Sequence, residues 1–149
     1  MPNFELKSEL NTVFRRDFPL AVPAIASPLH AQPLVDGEWL DLVGGKAQRG
    51  TGEGTLALVF PVFAERGRYD VQAIKKVPLL YLGAYEAESS IVDATAAEGD
   101  ALSVQDVTIG GITRRALKKA SLTGGAVNAG IVVVGYVSKV LTGKLRFIH

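Results

Sequence analysis

The side chains able to do chemistry are few and scattered in this chain of 149 residues. There is no cysteine, which excludes thiolate nucleophiles, disulfides and cysteine-ligated zinc. The two histidines are His30, set among prolines, and His149, the last residue. A metal site or an acid–base relay needs imidazole held by a rigid framework, and neither position offers one, so no Ser–His–Asp triad is expected. Gly50-Thr51-Gly52-Glu53-Gly54 has the glycine density of a phosphate loop. It lacks the terminal Gly-Lys-Ser/Thr and leads into no helical pattern, so it reads as a hairpin or irregular loop, a place where partner contacts concentrate. Asp36, Glu38 and Asp41 cluster, but on a strand Glu38 and Asp41 face opposite sides and make no carboxylate pair. Glu86 and Glu88 share a face and read as a solvated strand surface. No catalytic, cofactor-binding or metal-ligating residue is assigned; no cofactor and no enzyme activity are expected.

The densest basic run is Arg114, Arg115, Lys118 and Lys119. It is a candidate patch for a partner, either phosphate or an acidic protein surface. No aromatic lies between Tyr85 and Tyr136, so a stacking platform for single-stranded nucleic acid is missing and direct nucleic-acid contact is not expected. A solvated face is the plainer reading. Net charge is +1, yet it is segregated: residues 34–110 carry 12 acids against 6 bases, and 7 bases with no acid follow Gly110. Either the molecule is electrically polar and docks by opposite charge, or the two segments interleave in space and mix the signs.

The elements that would position these groups divide the chain at Pro33. Residues 1–33 hold five of the seven prolines and none of the 16 glycines. Proline fixes φ and extends the residue before it, so the stretch from Pro19 to Pro33 reads as an extended strap. Residues 5–16 have the spacing of one short helix, through Leu6, Leu10, Val13 and Phe14. The apolar side chains of this arm require a surface to cover them, and Phe4, Leu6, Leu10, Phe14, Phe18, Leu20, Val22, Ile25 and Leu29 are the candidate partner-binding residues. On this division, removing residues 1–33 leaves a folded domain. No targeting segment is visible, and the longest apolar stretches are far shorter than a membrane span, so no membrane partner is expected.

Residues 34–149 read as strands and turns. Asp36-Gly37 turns into Trp39-Leu40-Asp41-Leu42-Val43. Residues 56–64 are nearly all apolar, as in a strand buried on both faces, with Pro61 marking an edge, bulge or break. Residues 69–74, 77–83, 86–92 and 101–107 carry further strand character, and residues 131–141 are the strongest strand. Thr142-Gly143 then gives a hairpin into Lys144-Leu145-Arg146-Phe147-Ile148. Turn signals about every ten residues indicate an all-β domain, a mainly antiparallel barrel or sandwich, behind the N-terminal arm.

The order Pro33-Leu34-Val35-Asp36-Gly37-Glu38-Trp39-Leu40-Asp41-Leu42, the glutamate-bearing strand around Ala87, Gly99-Asp100-Ala101-Leu102-Ser103-Val104, Val133-Val134-Gly135-Tyr136-Val137 and Gly143-Lys144-Leu145-Arg146-Phe147 resembles the capsid decoration, or cement, proteins of tailed bacteriophages. The resemblance covers residues 34–149 and is one of texture and order. It implies a β-barrel-like domain on the exterior of an icosahedral head, made in the bacterial host cytoplasm, that bridges neighbouring major capsid subunits and helps the shell resist internal DNA pressure. It also implies self-association, as a homotrimer or other small homo-oligomer. The alternatives are another virion structural role, at a head fibre base or on a tail, a small β-barrel enzyme or ligand-binding protein, and nucleic-acid binding through the basic segment.

Overall fold

A computed structural model describes residues 3–11, 13–20, 34–53, 58–63, 68–69, 76–93 and 95–149. Among these, every regular element is a β-strand. In chain order they are β1 (Phe4–Glu9), β2 (Phe14–Pro19), β3 (Leu34–Val35), β4 (Trp39–Val43), β5 (Lys46–Gln48), β6 (Leu58–Pro61), β7 (Arg68–Tyr69), β8 (Lys76–Leu82), β9 (Tyr85–Ser89), β10 (Ala101–Ile109), β11 (Ile112–Lys119), β12 (Leu122–Thr123), β13 (Ala126–Val127), β14 (Gly135–Leu141) and β15 (Lys144–Ile148). The protein is all-β. Its largest sheet is antiparallel, in the order β1-β9-β15-β14-β10-β11, and curls into a half-barrel. A three-stranded sheet β5-β4-β6 and the pairs β2-β8, β3-β7 and β12-β13 complete it.

Trp39 and Leu40 explain why there are two main cores. Neighbours on a strand point to opposite faces, and both of these side chains have no exposed surface. Trp39 enters a cluster with Phe4, Tyr85, Leu102, Leu117, Leu145 and Phe147 inside the half-barrel. Leu40 enters a second cluster with Phe18, Leu20, Leu34, Ala47, Val62 and Leu79. Leu79 and Leu80 split the same way on β8. Strands β4 and β8 therefore form a wall with a core on each side. A smaller cluster of Val35, Ile91, Val107 and Ala116 lies apart from both.

The residues expected to form a helix are instead extended. Strand β1 pairs with β9, β2 pairs with β8, and the corner between them is fastened where Leu10 and Asn11 donate their backbone N–H groups to the Ala84 carbonyl (2.9 and 3.3 Å). Residues 4–20 thus run beside residues 76–89 for most of their length. The period-two burial of Phe4 and Leu6 against exposed Glu5 and Lys7 wins over the helical spacing, because those two rings and chains have a core to enter. Over this stretch the expected free arm is part of the body. The remainder of the strap, residues 21–33, lies outside the described residues, as do parts of the expected strands at 56–64 and 69–74.

Other expectations hold. The β14–β15 hairpin turns at Gly143 with φ +73°. Pro61 ends β6, an edge strand of its sheet, where a missing N–H costs no ladder bond. Gly37 is needed twice over: its φ is +89°, and a Cβ there would meet Ser89 Oγ at 3.2 Å.

The two-sided wall yields the first prediction. Leu40→Ala leaves a cavity with no room to collapse and should cost about 2–5 kcal/mol, whereas Leu58→Ala, at an exposed position on the neighbouring strand, should stay within about 0.5 kcal/mol. Urea denaturation of the two variants checks the contrast.

Candidate functional site: outward-facing apolar groups over internal ion pairs

The basic run makes no surface patch. Arg114 and Arg115 are 8% and 1% exposed. Consecutive on β11, they leave the strand on opposite faces and are used internally on both. Arg114 Nη1 lies 3.4 Å from Glu38 Oε2. The same carboxylate accepts from Arg49 through Nε to Oε1 (3.2 Å) and Nη2 to Oε2 (3.0 Å), and from the Val35 N–H (3.0 Å). Glu38 is fully buried, and two guanidiniums and an amide converge on its carboxylate, as a buried acid requires. Arg115 Nη1 donates to the Gly52 carbonyl (2.7 Å) and to Asp106 Oδ1 (3.0 Å). Lys118 and Lys119, more exposed, pair with Asp93 (3.8 Å) and Asp100 (3.3 Å). The expected patch is thus corrected at Arg114 and Arg115, which are buried, while Lys118 and Lys119 stay on the surface beside acids. Its charges are matched by acids of the preceding segment, and the two charge blocks interleave.

The glycine run is likewise structural over its described part. Glu53 accepts from Ser103 Oγ (2.9 Å), Gln105 Nε2 (3.1 Å) and the Ser121 N–H (2.7 Å). Partial burial works against its charge, but the Ser121 and Ser103 bonds prevail and hold its carboxyl below the usual range. Gly50 packs so closely on Asp41 that a Cβ would strike the carboxylate. Burial raises the Asp41 pKa, against the pull of the Arg115 charge. Residues 49–53 therefore bolt β5 to the β10–β11 hairpin and do not form an anion cradle.

The face of Glu86 and Glu88 is not simply solvated. Glu88 sits under three cations: Arg146 Nη2 at 2.7 Å, Lys144 Nζ at 2.8 Å and Lys7 Nζ at 3.7 Å. The Lys144 and Arg146 bonds, outweighing desolvation, depress its carboxyl from 4.5 to about 2. Lys7, the extra residue of a bulge in β1, ties the edge strand to this cluster. Among the described residues, no three His, Cys, Asp or Glu side chains are grouped as a metal site would require.

The apolar residues expected to face a partner separate into two kinds. Phe4 lies edge-on to Phe63, Tyr85 and Phe147 at 5.8–6.3 Å, and Phe18 and Leu20 are buried in the second core, so these three serve the fold rather than a partner. Leu6 is half-buried against the first core. Leu10 and Phe14, flanking the β1–β2 corner, are 57% and 53% exposed. Val22, Ile25 and Leu29 lie outside the described residues. Sequence reasoning missed Tyr136 and Ile148, directly cross-strand on β14 and β15 and both exposed. Their signal was present: in Gly135–Leu141, Tyr136 is out of phase with Val137, which is buried.

Compared with protein-family models, with curated proteins and with solved structures, the chain matches none.

Two predictions test the ion pairs. Glu38→Ala removes the carboxylate that Arg49 and Arg114 share in a dry site and should cost about 3–5 kcal/mol by chemical denaturation. The Glu88 pKa is lower in the folded state, so its stabilisation is complete above about pH 4.5 and lost as pH falls toward 2. The melting temperature of the natural chain should fall across that window, and Glu88→Gln should be less stable at pH 7 with a shallower acid slope. An identical slope in the two proteins would remove Glu88 from the account.

Proposed function

We propose that this chain is a structural protein of the phage head exterior, cementing neighbouring major capsid subunits, with the β body seated at a subunit junction. The observation that carries the reading is the exposed pair Leu10 and Phe14, at the ends of two strands whose neighbours are anchored in the cores. Asn11 Oδ1 accepts from the Ala84 N–H (2.5 Å), and the flanking strands are anchored by Phe4 and Phe18. Two large apolar side chains presented outward beside anchored strands offer a partner surface to cover at little cost in backbone ordering. The resemblance of residues 34–149 to decoration proteins points the same way. A body with Arg49, Arg114 and Arg115 held in buried pairs suits a part that must bear load. On a symmetric shell, modest contacts of this kind multiply through repetition.

The structure changes how this must be tested. Removing residues 1–33 would take Phe4, Phe18 and Leu20 from the two cores, so that deletion is expected to unfold the protein rather than report on binding. Leu10→Asp with Phe14→Asp alters only exposed positions. Co-sedimentation with expanded heads lacking the protein should show binding by the natural chain and a loss of about tenfold or more for the double variant, with melting temperature retained. Undiminished head binding by the folded double variant would remove the corner from the interface, and no binding by the natural chain would end the reading.

A further inference from the structure

Four cations without a carboxylate gather around β2. Arg49, Arg114, Arg115 and Arg146 each meet an acid within 3.4 Å. Lys7, Lys118, Lys119 and Lys144 are paired as well. Among the described residues, Arg15, Arg16, Lys46 and Lys76 meet no acid, and all four are exposed.

Strand β2 brings them together. It pairs with β8 along its length, and Leu20, just past its end, bridges Ala47 of β5 in parallel. Val62 bridges Leu79 in turn, so β8, β2, β5, β4 and β6 follow one another around the second core and return to β8. Ala47 and Val77 point into that core, so Lys46 and Lys76, each one residue earlier, point outward. Lys76 stands opposite Pro19, and Lys46 lies on the other flank of Pro19. Arg15 shares this outward face, about 13 Å from Pro19 along the strand. Arg16 leaves β2 on the core side and caps its rim. Its guanidinium stands 5.2 Å from the centre of the Phe18 ring and 5.9 Å from that of Tyr81.

Stacked on two rings, the Arg16 guanidinium is already oriented, and its N–H fork can take a carboxylate with little further ordering. Phe14 directly precedes the arginines and is 53% exposed. The run Phe14-Arg15-Arg16 thus joins an aromatic anchor to two guanidiniums, residue types enriched in interfaces. Asp17 lies on the face of Arg15, where it would repel a phosphate backbone but suits a protein surface of mixed sign. We propose that this face binds an acidic protein segment, Arg15 and Arg16 each taking a carboxylate while Lys46 and Lys76 supply charge beside them. The identity of the partner rests on the function proposed above: the acidic segment then belongs to the major capsid subunit that covers Leu10 and Phe14.

The test is fluorescence anisotropy of a labelled polyglutamate peptide, and of labelled oligothymidylate beside it, at low and high salt. The proteins are the natural chain and two double variants, Arg15→Glu with Arg16→Glu and Lys46→Glu with Lys76→Glu. All four positions are exposed, and a retained melting temperature confirms folding. The natural chain should bind the peptide more tightly than the oligonucleotide and release it as salt rises. The arginine variant should lose about tenfold or more in affinity, and the lysine variant a smaller factor. A natural chain that ignores the peptide or prefers the oligonucleotide overturns the proposal, as does undiminished peptide binding by either folded variant. Co-sedimentation with heads separates this contact from the function. An arginine variant that binds heads as the natural chain does overturns the acidic contact alone. A natural chain that binds the peptide but not heads overturns only the head reading.

Discussion

A carboxylate sealed from water must be given partners, and Glu38 dictates much of the arrangement around it. Its side chain takes Arg49 from just beyond β5, Arg114 from β11 and the amide of Val35 in β3. Its own backbone is held too, the carbonyl accepting from the Val62 N–H at 2.7 Å. Leaving any of these groups unpaired in a dry site costs more than the pairing returns, so the lock acts as a constraint on geometry more than as a source of stability. The Glu38 side chain places residues 49 and 114 beside its own strand, and its backbone carbonyl adds residue 62. The loop that follows Arg49 inherits its position: Gly50 lies against Asp41, the Gly52 carbonyl meets Arg115, and Glu53 reaches Ser103.

The next residue shows why such a lock sits here. Trp39 and Leu40 send their side chains into different cores, which makes β4 a partition buried on both faces. The polar groups where such a strand begins are buried with it. Glu38 and Arg49 are the solution on one flank of the partition, and Asp41, half-buried with its pKa raised, marks where water begins to return.

How much of this could be read beforehand depended on the distance over which each feature is decided. The hairpin at Gly143, the turn at Gly37 and the edge position of Pro61 rest on local backbone chemistry and were legible. The strands at residues 4–9 and 14–19 were not, because their partners are some seventy residues away and the spacing of Leu6, Leu10, Val13 and Phe14 mimics a helix. Arg114 and Arg115 misled for the same reason. Four cations in six residues look like a patch until Glu38, 76 positions earlier, is brought beside one of them. Of the apolar residues in the first twenty, composition marked all alike; only the three-dimensional corner separates Leu10 and Phe14 from Phe4, Phe18 and Leu20.

That corner and the interleaved charges are two sides of one arrangement. The acid-rich middle of the chain and the base-rich end neutralise each other across the sheet, at Glu38–Arg114, Asp106–Arg115, Asp93–Lys118, Asp100–Lys119 and around Glu88. Long side chains held in such pairs are not available to steer a charged partner, and the net charge of +1 leaves little long-range field. Among the groups facing outward are several large apolar ones: Leu10, Phe14, Leu122, Tyr136 and Ile148. Contacts made by such groups form through burial of fitted surface rather than through attraction at a distance, so they reward a partner held close and repeatedly presented, as subunits on a lattice are. A protein built this way spends much of its charge on internal pairs, and its exposed apolar groups are the part of its surface that burial against a partner would change most.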